Sequence, residues 1–106
     1  MILTLSPQRR DMPMTLERLG DALVIDGEAF DFAPLPVGYS LPPEAITSDR
    51  ILDAVRRDEG GTLHITLVLP HGPTAPAETR FPAQIIDPPD GPVALPPFGP
   101  EERPDR

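Results

Sequence analysis

A chain of 106 residues with no cysteine and a net charge of −8 is one small domain. It has no disulfide, no thiolate metal site and no thiol nucleophile. Nine arginines, no lysine and seventeen acids make a chain that repels phosphate backbones, so no nucleic-acid partner is expected. No apolar run approaches the roughly 18 residues of a membrane helix. The start, MILTLSPQRR, lacks the basic-then-apolar plan of a signal peptide. Neither a membrane association nor export is therefore expected, and the cytoplasm is the expected location. Seventeen prolines, roughly three times average usage, nearly exclude long helices, because an interior proline costs a helix about 3 kcal/mol.

In chain order, Ile2 to Leu5 reads as a short strand ended by SPQRRDMP. Met14 to Leu19 alternates, with Met14 and Leu16 on one side and Thr15 and Glu17 on the other. Gly20-Asp21 breaks it. Ala22 to Ile25 and Glu28 to Phe32 follow, joined by Asp26-Gly27, the strongest short-range signal for a hairpin. These segments predict three consecutive antiparallel strands, a meander. The stretch APLPVGYSLPPEAITSDR then reads as a long loop with a helical turn near Pro43 to Ile46. Leu35, Val37, Tyr39 and Leu41 are its expected covering side chains.

Arg50 to Arg57 and Thr62 to Leu69 predict a second hairpin, with Asp58 to Gly61 as its tip. Leu63, Ile65, Leu67 and Leu69 form an apolar stripe at the two-residue period and demand a core. His64, Thr66 and Val68 form a mixed opposite face. Thr79 to Asp87 is a further strand candidate, which Pro82 confines to an edge or a bulge. DPPDG reads as a tight turn and Pro92 to Leu95 as a last strand. The expected fold is all-β: a small antiparallel, meander-type sandwich or partly open barrel of about seven or eight short strands with proline-rich loops. One domain is expected over residues 1–97, with a charged, proline-rich and flexible tail over 98–106.

Catalytic chemistry finds little support in these residues. His64 lies mid-strand, where pairing with a cross-strand neighbour explains it. His71 suits a turn at a strand end. Two histidines seven residues apart match no zinc spacing. There is no phosphate loop, no nucleophile elbow and no Ser/His/Asp framework. No metal, no cofactor and no enzymatic activity are expected. Exposed, stiff segments serve protein contact better. The candidate contact residues are Arg56, Arg57, Asp58 and Glu59 at the hairpin tip, and His71, Pro73, Glu78 and Arg80 around the Pro70–Pro82 loop.

The segments LSPQRRD, IDGEAFDFAPLP, LPPEAI, LHITLVLPHGPTAPAETRFP and DGPVALP together resemble a family of small proteins of tailed phages and prophages of Gram-negative bacteria. Members are encoded near tail and tail-fibre genes. The resemblance runs from Leu3 to about Pro97 and carries no catalytic or binding residues with it. It implies an accessory protein of the tail or tail-fibre module, present in the host cytoplasm during assembly or in the virion tail. Its implied partners are other tail or tail-fibre proteins, or a second copy of itself. A binder of a host protein is the first alternative. A small hydrolase or metal-dependent enzyme using His64 or His71 is the second.

Overall fold

The computed structural model describes residues 1–10, 12–46, 48–73 and 77–96, with Glu78 described in its backbone only. The expected tail over 98–106 lies outside the described residues. The strands are β1 (Ile2–Arg9), β2 (Leu16–Leu19), β3 (Ala22–Ile25), β4 (Glu28–Asp31), β5 (Ser40–Leu41), β6 (Val55–Arg57), β7 (Leu63–His71), β8 (Ile85–Ile86) and β9 (Gly91–Pro92). One sheet has the order β5-β6-β7-β1-β8 and the other β4-β3-β2-β9. The fold is all-β, mostly antiparallel, and the two sheets do not close into a barrel. Among the described residues the helical content is one 3-10 turn, Pro43–Ala45, and one α turn, α1 (Ala77–Arg80).

The meander forms as its turn chemistry requires. β2 pairs with β3 and β3 with β4, both antiparallel. Asp26 and Gly27 both take positive φ, 51° and 85°, which a two-residue turn matched to strand twist needs. The second hairpin also forms, with Gly61 at φ 87° in its tip. Its first strand is shorter than the expected Arg50 to Arg57. Only Val55–Arg57 is continuous, and Ile51 makes a separate bridge to Leu67. The Asp53 carboxylate accepts the Ala54 N–H at 2.8 Å, a local bond that competes with the ladder.

The central pairing departs from an all-antiparallel meander. β1 lies parallel to β7, from Ile2 opposite His64 to Arg9 opposite His71. β1 also runs through SPQR rather than ending at Leu5, and the reason is the direction of one missing donor. The Arg10 N–H donates to the His71 carbonyl at 3.1 Å, whereas Met1 presents its carbonyl to Asp87 on the other side. Even-numbered residues of β1 therefore face β7, and odd ones face away. Pro7 lacks its N–H only toward the open side. Pro70 follows the same logic on β7. Val68 donates to Arg50 at 2.8 Å, so Pro70 faces that side, beyond the last partner.

Thr79 to Asp87 is a strand only at Ile85–Ile86, which pairs with β1; its beginning belongs to α1. Pro92 to Leu95 pairs as Gly91–Pro92 against β2, and Val93 adds an N–H to the Leu16 carbonyl at 2.9 Å. A single apolar core draws Leu16, Leu23 and Ile25 from one sheet and Leu3, Leu63, Ile65 and Leu67 from the other. The stripe on β7 is buried, as its period demands. Its opposite face is mixed: His64 and Thr66 are half-buried, and Val68 and Pro70 are buried. Of the loop's expected covering side chains, Leu35 and Leu41 pack against the core, whereas Val37 and Tyr39 are 53% and 63% exposed.

Candidate functional site

The candidate contact residues divide between the two ends of β7. Its nine residues make eight steps of about 3.3 Å, which put those ends roughly 26 Å apart. The structure therefore brings the hairpin tip and the Pro70–Pro82 loop to opposite ends of one strand, not into one surface.

At the hairpin end, Arg57 corrects the expectation of an exposed contact. Val55 and Arg57 share the inward face of β6, with Arg56 turned out between them. The buried Arg57 guanidinium donates through Nε to the Leu35 carbonyl at 2.7 Å and through Nη1 to the Gly61 carbonyl at 3.0 Å. Nη2 donates to the Phe32 carbonyl at 2.9 Å and to Asp21 Oδ2 at 3.2 Å. One side chain thus ties the hairpin tip, the long loop and the turn before β3 together. The planar fork of arginine satisfies three carbonyls and one carboxylate at once, which lysine's single ammonium has no geometry to do.

Asp58 also points its polar atoms into its own hairpin. Oδ1 accepts the Gly60 N–H at 2.9 Å and the Thr62 N–H at 3.0 Å. Oδ2 meets His64 Nε2 at 2.8 Å. The hydrogen bond from His64 holds the Asp58 carboxyl below its ordinary range, and the two backbone donors act in the same direction. His64 is thereby the half-buried partner of a neighbour across the hairpin. Arg56 and Glu59 remain exposed at this end, and neither is in an ion pair among the described residues.

The other end is built differently. His71 closes β7, and its Nδ1–H donates to the Gly72 carbonyl at 2.8 Å. That bond suits a turn residue at a strand end. Pro73 is exposed, and α1 packs against β7 with Thr79 fully buried. Arg80 is exposed, with its guanidinium 5.9 Å from the centre of the Phe81 ring. Phe81 itself is 78% exposed. The Glu78 side chain lies outside the described residues. Phe81 went unselected in the sequence, because a lone aromatic beside Pro82 reads as ordinary strand composition.

Arg18 forms a third polar anchor, also missed in the sequence. Its Nη1 donates to Asp87 Oδ1 at 3.0 Å and to the Pro88 carbonyl at 2.6 Å, and its Nε donates to the Gly20 carbonyl at 2.9 Å. This pins β2 of one sheet to the DPPDG turn that follows β8 of the other. Arg18, with the chain's amino terminus, holds the Asp87 carboxyl below its ordinary range. Among the described residues no group of three or more His, Cys, Asp or Glu side chains is placed to hold a metal ion. No helix among them is long and apolar enough to cross a membrane.

No family model matches the chain, and no curated protein and no solved structure matches it.

Proposed function

We propose that this chain is a non-enzymatic accessory protein of a phage tail or tail-fibre module, acting by protein–protein contact as a small sandwich-type β domain. The observation that carries the contact reading is the exposed Arg80–Phe81 pair at the end of α1. Phe81, 78% exposed under the Arg80 guanidinium, offers an apolar face to a partner, and arginine and aromatic side chains are enriched where protein surfaces meet. Pro73 and Pro82 flank this end and limit the conformations that a partner must order. The phage context is supported by the sequence resemblance, and tail or tail-fibre proteins are the corresponding partners.

The test is mass spectrometry of purified particles from an induced prophage that carries the gene. Stoichiometric protein in the particle makes it a virion component. Absence from particles, with reduced infectivity on deletion, makes it an assembly helper. Absence without any effect of deletion on assembly or infectivity overturns the tail reading in favour of a binder of a host protein.

A further inference from the structure

Four strands close the ends of the two sheets, and they differ in how they resist further pairing. β5, β8 and β9 are two residues long. Pro42 follows β5, and Pro92 lies within β9. β4 is four residues long, Glu28-Ala29-Phe30-Asp31, with no proline in it. The clefts described below run beside β4, with Leu41 of β5 in their far wall, and Ile85 of β8 lines a separate cleft.

The direction of its peptide groups follows from its partners. Glu28 sits opposite Ile25 across the two-residue turn, Phe30 sits opposite Leu23, and the Phe32 N–H donates to the Asp21 carbonyl at 3.0 Å. Glu28, Phe30 and Phe32 therefore bond toward β3. Ala29 and Asp31 direct their N–H and C=O groups outward. Neither has a backbone partner among the described residues. Beside them runs a cleft of about 260 Å³, walled by Ala29 to Phe32 on one side and by Leu41, Ala45 and Ile46 on the other. It adjoins a second hollow of about 230 Å³, lined by Phe32, Pro34, Leu35 and Leu41. Asp31, Phe32 and Leu41 border both.

Charge selects what can enter. Glu28 begins the strand, Asp31 lines the cleft, and Glu44 stands in the 3-10 turn beside its far wall. All three are exposed, and none is in an ion pair among the described residues. Acidic side chains on an edge strand deter pairing with another copy of a chain whose net charge is −8. The same charges favour a basic segment.

We propose that the slot along β4 receives an extended segment of a partner protein in which apolar and basic residues alternate. The segment adds a strand to the sheet by bonding to the outward peptide groups of Ala29 and Asp31. Its side chains alternate like those of any strand. Those on the side of Phe30 and Phe32 enter the cleft and are apolar. Those on the side of Ala29 and Asp31 meet the Asp31 carboxylate and are arginine or lysine. This rests on the contact reading above, but not on the phage assignment, and it names a surface separate from the Arg80–Phe81 end.

The test is amide hydrogen exchange by NMR on the full chain, with an end-capped seven-residue peptide of alternating valine and arginine as the probe. The expected result is at least tenfold slower exchange at Ala29 and Asp31, with little change at Arg80 and Phe81. A peptide of alternating valine and glutamate is expected to give no such protection. Ala29→Pro removes an outward donor without touching the bonds to β3, and is expected to abolish the protection. Asp31→Asn, which keeps an acceptor for the Ala33 N–H (now 3.0 Å from Asp31 Oδ1), is expected to weaken it severalfold and serves if the proline variant does not fold. Equal protection by the two peptides, or protection located elsewhere, overturns the proposal. So does protection that rises with protein concentration without peptide, which makes a second copy the occupant. None of these failures alters the particle measurement, so the slot and the tail reading fall separately.

Discussion

At the Leu63 end of β7, Arg57 and Asp58 turn their polar atoms into the molecule; at the His71 end, the side chains of Arg80 and Phe81 are left to solvent. Both ends carry an arginine, a histidine and a turn, so residue type does not separate them. What separates them is how many backbone groups need a partner. The hairpin tip meets the long loop and the turn before β3 there, and the carbonyls of Leu35, Phe32 and Gly61 converge on one point. A buried guanidinium is the one side chain with enough donors, in a fixed plane, to serve them all. At the other end β7 closes at His71, and Arg80 has no comparable group of acceptors among the described residues.

The largest effect that tests this contrast is on stability. Arg57→Ala takes the guanidinium from the Leu35 and Gly61 carbonyls, from the Phe32 carbonyl (which keeps the Leu35 N–H) and from the Asp21 carboxylate, and is expected to cost about 3 to 5 kcal/mol. Arg80→Ala is expected to stay within about 0.5 kcal/mol of the parent. Urea denaturation of the two variants checks both values. Arg57→Lys keeps the charge and loses the fork, so it is expected to recover only a small part of the loss. Similar midpoints for the two alanine variants would break the comparison.

The next effect is on the pH dependence of stability. The Asp58 carboxyl is held below its ordinary value of 3.8 by His64, Thr62 and Gly60 in the folded state. A depressed folded pKa contributes stability that is complete above the unfolded value and is lost as pH falls through the folded one. Stability is therefore expected to decline below about pH 4. Asp58→Asn is expected to be less stable than the parent at pH 6 and to show a shallower decline on acidification. Asp87, held down by Arg18 and the amino terminus, contributes an acid loss of the same sign. Urea midpoints measured from pH 6 to pH 2.5 for parent, Asp58→Asn and Asp87→Asn separate the two carboxylates.

The smallest effect on folding belongs to Phe81. Phe81→Ser removes an exposed ring and is expected to leave the denaturation midpoint within experimental scatter. On the contact reading it reduces incorporation into, or assembly of, the phage particle. Loss of stability with unchanged incorporation would invert the roles of the two ends.

Some of this architecture is written in short stretches. The Asp26-Gly27 turn, the alternation on either side of it and the apolar stripe from Leu63 to Leu69 are local, and each specifies its element through backbone sterics or a two-residue period. The hairpin tip at Asp58 to Gly61 and the turn role of His71 were legible for the same reason. The parallel pairing of β1 with β7 was not, because strands more than fifty residues apart choose each other by fitting a common core, for which no neighbouring residue gives a sign. Pro7 and Pro70 read as strand breakers, yet both lie inside strands; the sheet decides which way each missing N–H points. Of the candidate contact residues, Arg57 was misread because Arg56 and Arg57 look alike in a row of letters, and only the alternation set by Val55 sends one out and the other in. The sequence alone determined the all-β class, the meander and the buried stripe, since these follow from propensities and periods within a few residues. Tertiary structure decided the parallel centre, the inward arginine and the open edge of β4, because each depends on which distant backbone groups remain to be paired.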